Sequence, residues 1–154
     1  MPRSVNRDRS SSPSDDDVRV VEVDIPSDVA YIERVVDLVR HECEVMSFAP
    51  RQVMLNVPVA LTEALSNAIL RGNGDDPAKH VRVRASVNAK QLVVEVADEG
   101  RGFDLDAKAI DPTTPERLGA EDGRGLYLMR KLMDRVERFD AEHGSIIRMT
   151  LRRT

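Results

Sequence analysis

VRVRASVNAKQLVVEVADEGRG, residues 81–102, is the stretch on which the fold turns. Val81, Val83, Ala85 and Val87 alternate with Arg82, Arg84 and Ser86. Past Asn88-Ala89-Lys90, Leu92, Val94 and Val96 alternate with Val93, Glu95 and Ala97. A side-chain period of two belongs to a strand, and two such runs across a short polar break predict a hairpin with one buried face. A sheet face of that kind needs a second layer to cover it.

The flanking sequence supplies that layer. Upstream, Val18, Val20, Val21 and Val23 read as a strand ending at Ile25-Pro26. Ser27 can cap the next helix, with Asp28 in its positive first turn. Val29, Ile32, Val35, Val36 and Val39 recur every three to four residues, which predicts an amphipathic helix over 28–47. Pro50–Arg71 is also helical in pattern, with Leu61, Leu65, Ala68 and Ile69 on one stripe. Pro58 either kinks that helix or opens a fresh one at its first turn. Gly72-Asn73-Gly74-Asp75-Asp76-Pro77 breaks it. Downstream, residues 104–122 are polar and irregular, which predicts a mobile loop. A helix follows Gly123-Arg124-Gly125 through Leu126, Leu128, Met129, Leu132 and Met133. Two strands fit Arg135–Ala141 and Ser145–Arg152 around His143-Gly144. This order points to an α+β, two-layer α/β sandwich with helices on one face of a mixed, largely antiparallel sheet. Residues 1–17 are nearly free of apolar side chains and are expected to be a disordered tail, leaving 18–154 as the domain.

Composition narrows the function. The chain has 154 residues, 41% hydrophobic and 32% charged, with a net charge of −4, 3% aromatics and no Trp. That balance suits a soluble domain and argues against a basic or base-stacking surface, so no direct nucleic-acid partner is expected. No uninterrupted apolar run approaches the ~20 residues of a membrane span, and no signal-peptide core opens the chain; a cytoplasmic location without a membrane partner is the expectation. Cys43 is the sole cysteine. The run His41-Glu42-Cys43-Glu44 invites a metal reading, but neighbours on a helix fan around its axis, so a buried cysteine is preferred.

Three clusters carry chemistry. Glu63 and Asn67 in E-A-L-S-N are four apart and share a helix face. A carboxamide oxygen suits a hard cation and a carboxylate can take a proton; alone, the pair could equally face solvent. Asp98-Glu99-Gly100-Arg101-Gly102 follows a strand, where the glycines admit a flat ligand and Asp98 can accept from an exocyclic amine. In isolation this is as readily a tight loop. Gly123-Arg124-Gly125 precedes a helix, whose N-terminal N–H groups favour phosphate; otherwise it is a loop joint.

Taken in order, E-A-L-S-N, D-E-G-R-G-F and G-R-G-L resemble the N box and the two glycine boxes of the GHKL ATPase superfamily. The short chain, Glu63, and Gly144-Ser145-Ile146-Ile147 before a closing strand resemble its anti-sigma-factor serine-kinase branch. The resemblance implies ATP and Mg²⁺ as cofactors, Asn67 as the Mg²⁺ residue, Glu63 as general base and Asp98 as the adenine contact. It further implies that Gly100 and Gly102 make room for the nucleotide, that Gly123, Arg124 and Gly125 lie at the phosphates, and that 104–122 is an ATP lid. Arg71 and Gly72 stand where the family often has His and a small residue. The partners implied are a sigma factor and an anti-sigma-factor antagonist protein phosphorylated on serine, and a homodimer is compatible with this. The alternatives are a non-catalytic partner-switching module that binds ATP and a sensor-kinase fragment using His41. No pair of dimerisation helices surrounds His41 to support the latter.

Overall fold

The structure, a computed structural model, describes residues 16–100, 120–140 and 143–154. Five strands form one sheet: β1 (Val18–Pro26), β2 (His80–Asn88), β3 (Gln91–Asp98), β4 (Arg135–Asp140) and β5 (Ser145–Arg152), in the order β1-β2-β3-β5-β4. The hairpin forms as its alternation predicts, with Val81, Val83, Ala85, Val87, Leu92, Val94 and Val96 all buried. Asn88 closes it: its Oδ1 accepts from the N–H groups of Lys90 and Gln91, at 2.8 and 2.9 Å.

All four pairings are antiparallel, which corrects the expectation of a mixed sheet. The reason lies in the connections. Two helical segments join β1 to β2, so the chain goes out, returns, and re-enters from the end it left. β3 and β4 run parallel, but β5 folds back between them and pairs with both.

The covering layer contains α1 (Ile32–Val45), α2 (Val57–Asn67) and α3 (Ala120–Leu132). Val39, Cys43, Leu61, Leu65, Ile69 and Met129 from these segments pack with Met149 and the hairpin valines in one core. The start of α1 corrects the expected capping. A 3₁₀ turn, Val29–Tyr31, precedes the helix, and Asp28 rather than Ser27 caps it by accepting from Ala30 N–H at 2.9 Å. Ser27 is buried and bonds elsewhere. Helix α1 ends at a Schellman arrangement: Phe48 N–H donates to Cys43 O and Ser47 N–H to Glu44 O, with Ser47 at φ 63°. Arg19 of β1 ties down its last turn, forking onto Glu42 at 2.9 and 3.3 Å.

Pro58 is accommodated by a π-turn. Over Gln52–Asn56 the helix widens, and Val57 N–H bonds back to Gln52 O, five residues away. α2 then begins at Val57, so the proline falls in its first turn, where a missing N–H costs little. A second π-turn, Ala68–Gly72, ends the helix. By length and composition Gln52–Gly72 could cross a bilayer, contrary to the sequence expectation. In the fold Val53, Val57, Leu61, Leu65 and Ile69 are buried, which makes it the central core helix.

The opposite sheet face is polar. Glu22, Arg84, Glu95, Arg148 and Glu137 sit opposite one another across all five strands, alternating in sign. Arg148 reaches Glu95 at 2.8 Å.

Candidate nucleotide-binding site

Asp98 ends β3 beside the first residues of β5 and the end of the central helix. Its Oδ1 accepts from Gly100 N–H at 3.0 Å and Ser145 N–H at 3.2 Å, and its Oδ2 accepts from Ser145 Oγ at 3.0 Å. A carboxylate has about four acceptor positions, so roughly one remains, on Oδ2. Three glycines crowd this carboxylate. A Cβ at Gly72 would lie 2.3 Å from Asp98 Oδ2, and one at Gly144, where φ is +99°, would lie 2.0 Å from Asp98 O. A Cβ at Gly100 would lie 1.9 Å from Gly72 O. Larger residues at these positions would displace the aspartate or its walls.

Behind them stands Asn73, which is buried. Its Nδ2 donates to Ser27 Oγ at 2.7 Å and to His80 O at 2.9 Å, and its Oδ1 accepts from Glu99 N–H at 2.8 Å. One side chain thus joins the β1–α1 connection, the start of β2 and the loop after β3. In sequence Asn73 is only part of a helix breaker, because its three partners lie 46, 7 and 26 residues away. Ser145 was read only as part of a motif and not as a partner of Asp98. A serine opening the last strand after a glycine was the available signal.

Glu63 and Asn67 lie half-buried on α2, as their spacing predicts. Neither makes a hydrogen bond or ion pair with another described residue. What approaches them is Gly125: a Cβ there would stand 3.2 Å from Glu63 Oε2 and 3.3 Å from Asn67 Nδ2. The structure therefore brings Glu63, Asn67 and Gly125 together at one place, and Asp98 and Gly100 at another on the same side of the sheet.

The position of Gly123–Gly125 needs correction. Helix α3 begins at Ala120, so these residues lie within its first two turns instead of ahead of it. The N–H groups that a helix starting there leaves without an intrahelical partner precede Gly123, which is its fourth residue. Gly125 acts instead by its missing Cβ, and packing against Glu63 and Asn67 outweighs the low helix propensity of glycine. Residues 120–122 of the expected lid are accordingly helical. Gly102 and residues 104–119 lie outside the described residues, as do 1–15 of the expected tail and Ala141 of the last-but-one strand.

The donor set fits a magnesium nucleotide. Mg²⁺ takes one or two protein oxygens and fills its remaining positions with phosphate and water, and Asn67 offers such an oxygen beside the cradle at Gly125. Among the described residues, no three His, Cys, Asp or Glu side chains gather as a metal site. At Cys43, burial, with the Glu42 charge beside it, pushes the thiol up to about 12. It is an inert core residue, as preferred from its sequence. A shallow groove of about 550 Å³ on the polar sheet face, lined by Arg84, Glu95, Glu137 and Arg148 among others, involves none of the nucleotide-site residues.

Residues 25–151 match the model of the histidine kinase-like ATPase domain. The chain belongs to this family. The domain is 39% identical over 100 residues to the serine-protein kinase RsbW of Bacillus subtilis (strain 168), a stretch covering 62% of each chain. It is 32% identical over 143 residues to RsbW of Bacillus pumilus (strain SAFR-032), covering 86% of this chain and 85% of that one. The anti-sigma F factor of Clostridium beijerinckii is 29% identical over 99 residues, 64% of this chain and 68% of the relative. With several RsbW relatives the match spans only 62% of their length. The same fold recurs in the RsbU and RsbW domains of Rv1364c from Mycobacterium tuberculosis, at a TM-score of 0.63 and 15% identity over 87% of this chain and 32% of that one. The resemblance drawn from the three sequence motifs is thus borne out at the level of family and fold.

Proposed function

We propose that this domain binds Mg²⁺-ATP, phosphorylates a serine of a protein antagonist, and sequesters a sigma factor in the cytoplasm. The observation carrying this is the meeting of Gly125 with Glu63 and Asn67 on the helix whose end walls Asp98. One helix thereby serves both ends of a nucleotide. Similarity to serine-protein kinases RsbW and to an anti-sigma F factor supports the choice of reaction and partners.

Asp98 accepts from the adenine amine through its remaining Oδ2 position, while Gly100 and Gly102 leave room for the ring. Gly123, Arg124 and Gly125 bring the start of α3 to the phosphates, where the helix dipole favours anions. Asn67 holds Mg²⁺ through its carboxamide oxygen, and the ion supplies charge neutralisation to the β- and γ-phosphates. The serine Oγ attacks the γ-phosphorus, the bond to the bridging oxygen breaks, and ADP leaves with the electron pair. Glu63 takes the hydroxyl proton.

The test is incubation of the chain with γ-labelled ATP, Mg²⁺ and candidate antagonists. Phosphoserine on an antagonist is the expected result. ATP and sigma-factor binding with no transfer to any antagonist would favour a non-catalytic switching module.

A further inference from the structure

At the end of α3 away from Gly125, the last carbonyl of the helix has a side-chain partner. Asn56 Nδ2 donates to Leu132 O at 2.6 Å. The final carbonyls of a helix have no acceptor role within it, so this bond fastens the helix end to something outside. Asn56 sits in the π-turn that leads into α2, and such turns are enriched at functional sites. Its Oδ1 is buried without a hydrogen-bond partner. A buried unsatisfied acceptor is a cost that an apolar side chain would not carry, so core stability alone does not account for the residue.

The two contacts between these helices are evenly spaced. Asn56 is seven residues from Glu63, and Leu132 is seven from Gly125. Each interval is about 10 Å of helix axis, so α2 and α3 run antiparallel and are pinned at both ends of the same span. We propose that Asn56 is a positioning residue, which sets the axial place of α3 and thereby holds Gly123 and Gly125 against Glu63 and Asn67. This rests on the reading of that end as the phosphate side. Asp98 is held separately, by Ser145 and the loop that Asn73 supports. Loss of Asn56 should therefore weaken phosphate recognition and leave adenine recognition intact.

The experiment compares the full chain with Asn56→Ala and with Asn56→Asp, which keeps the size but faces the Leu132 carbonyl with an acceptor. Calorimetry with Mg²⁺-ATP and with adenosine gives the two affinities, and circular dichroism reports the fold. The expected result is about tenfold weaker ATP binding in both variants, the worth of one hydrogen bond, with adenosine affinity within about twofold of wild type. Parallel loss of both ligands would make Asn56 merely structural, and no loss of either would remove it from the site; both overturn the proposal. A wild-type chain that binds adenosine but gains nothing from the phosphates overturns the phosphate-side assignment beneath it.

Discussion

The two ends of the candidate site, both borne by the central helix, are built differently. Around Asp98 most polar groups are answered by the protein: three hydrogen bonds hold the carboxylate and leave about one position on Oδ2, three more satisfy Asn73, and glycines bring backbone against it. Five and nine residues back along the helix from Gly72, Asn67 and Glu63 have a glycine for a neighbour and no side-chain hydrogen-bonding partner among the described residues. The first end is preassembled and selects shape. The second keeps its hydrogen-bonding capacity open, as a group that must exchange a proton or take a ligand requires. A binding site and a reacting site can thus share one helix because different parts of the fold support them.

Substitutions at each end test this division. The largest effect is expected at the open end. Glu63→Gln preserves size and removes basicity, so phosphoryl transfer at saturating ATP should fall by about 10²–10⁴ while ATP affinity stays within about twofold. Equal transfer rates in a radiolabel assay would take Glu63 out of the reaction. At the closed end, Asp98→Ala removes a charged acceptor and should weaken ATP, ADP and adenosine alike by about 100-fold in calorimetry. Selective loss of ATP alone would move Asp98 away from the base.

Asn73→Ala attacks the support of the closed end. Three hydrogen bonds of a buried side chain vanish, at about 2–4 kcal/mol in total, and the melting temperature should drop by roughly 5–15 °C. A drop under about 2 °C would show that the loop after β3 holds its shape without Asn73. The smallest effect belongs to a site outside both ends. Ser47 has φ 63°, so Ser47→Gly should relieve strain worth up to about 1 kcal/mol and raise the melting temperature by about 2–4 °C. Nucleotide affinity should not move; a change there would mean that the end of α1 communicates with the site.

The sequence made some of this legible and hid the rest for physical reasons. The hairpin, the core stripe and the Glu63–Asn67 face could be read because strand and helix periods repeat locally. The place of Gly123–Gly125 was misjudged because glycine reads as a breaker, whereas the helix runs through it to bring backbone against α2. Asn73 and Ser145 take their meaning from partners distant in sequence, which no local pattern encodes. The capping role given to Ser27 failed likewise: its hydroxyl is engaged by Lys79 O and Asn73, and the neighbouring Asp28 caps the turn.

The π-turns bear on how related chains should be aligned. Each is, in effect, one residue inserted into an α-helix, whose extra step of about 100° and 1.5 Å the wider turn absorbs. Ala68–Gly72 is such an insertion, placed between Asn67 and the Gly72–Asn73 wall of Asp98. A relative with a regular helix here would need a gap inside the helix for Gly72 and Asn73 to correspond. Deleting a single residue from 68–71 would remove the wide turn and leave a regular helix that still delivers Gly72 and Asn73 to Asp98, whereas inserting one would swing Asn73 away from Ser27, His80 and Glu99 together. Helix interiors tolerate length changes far less than loops do, so among relatives this turn should show the loss of one residue or substitutions, and not longer insertions or deletions.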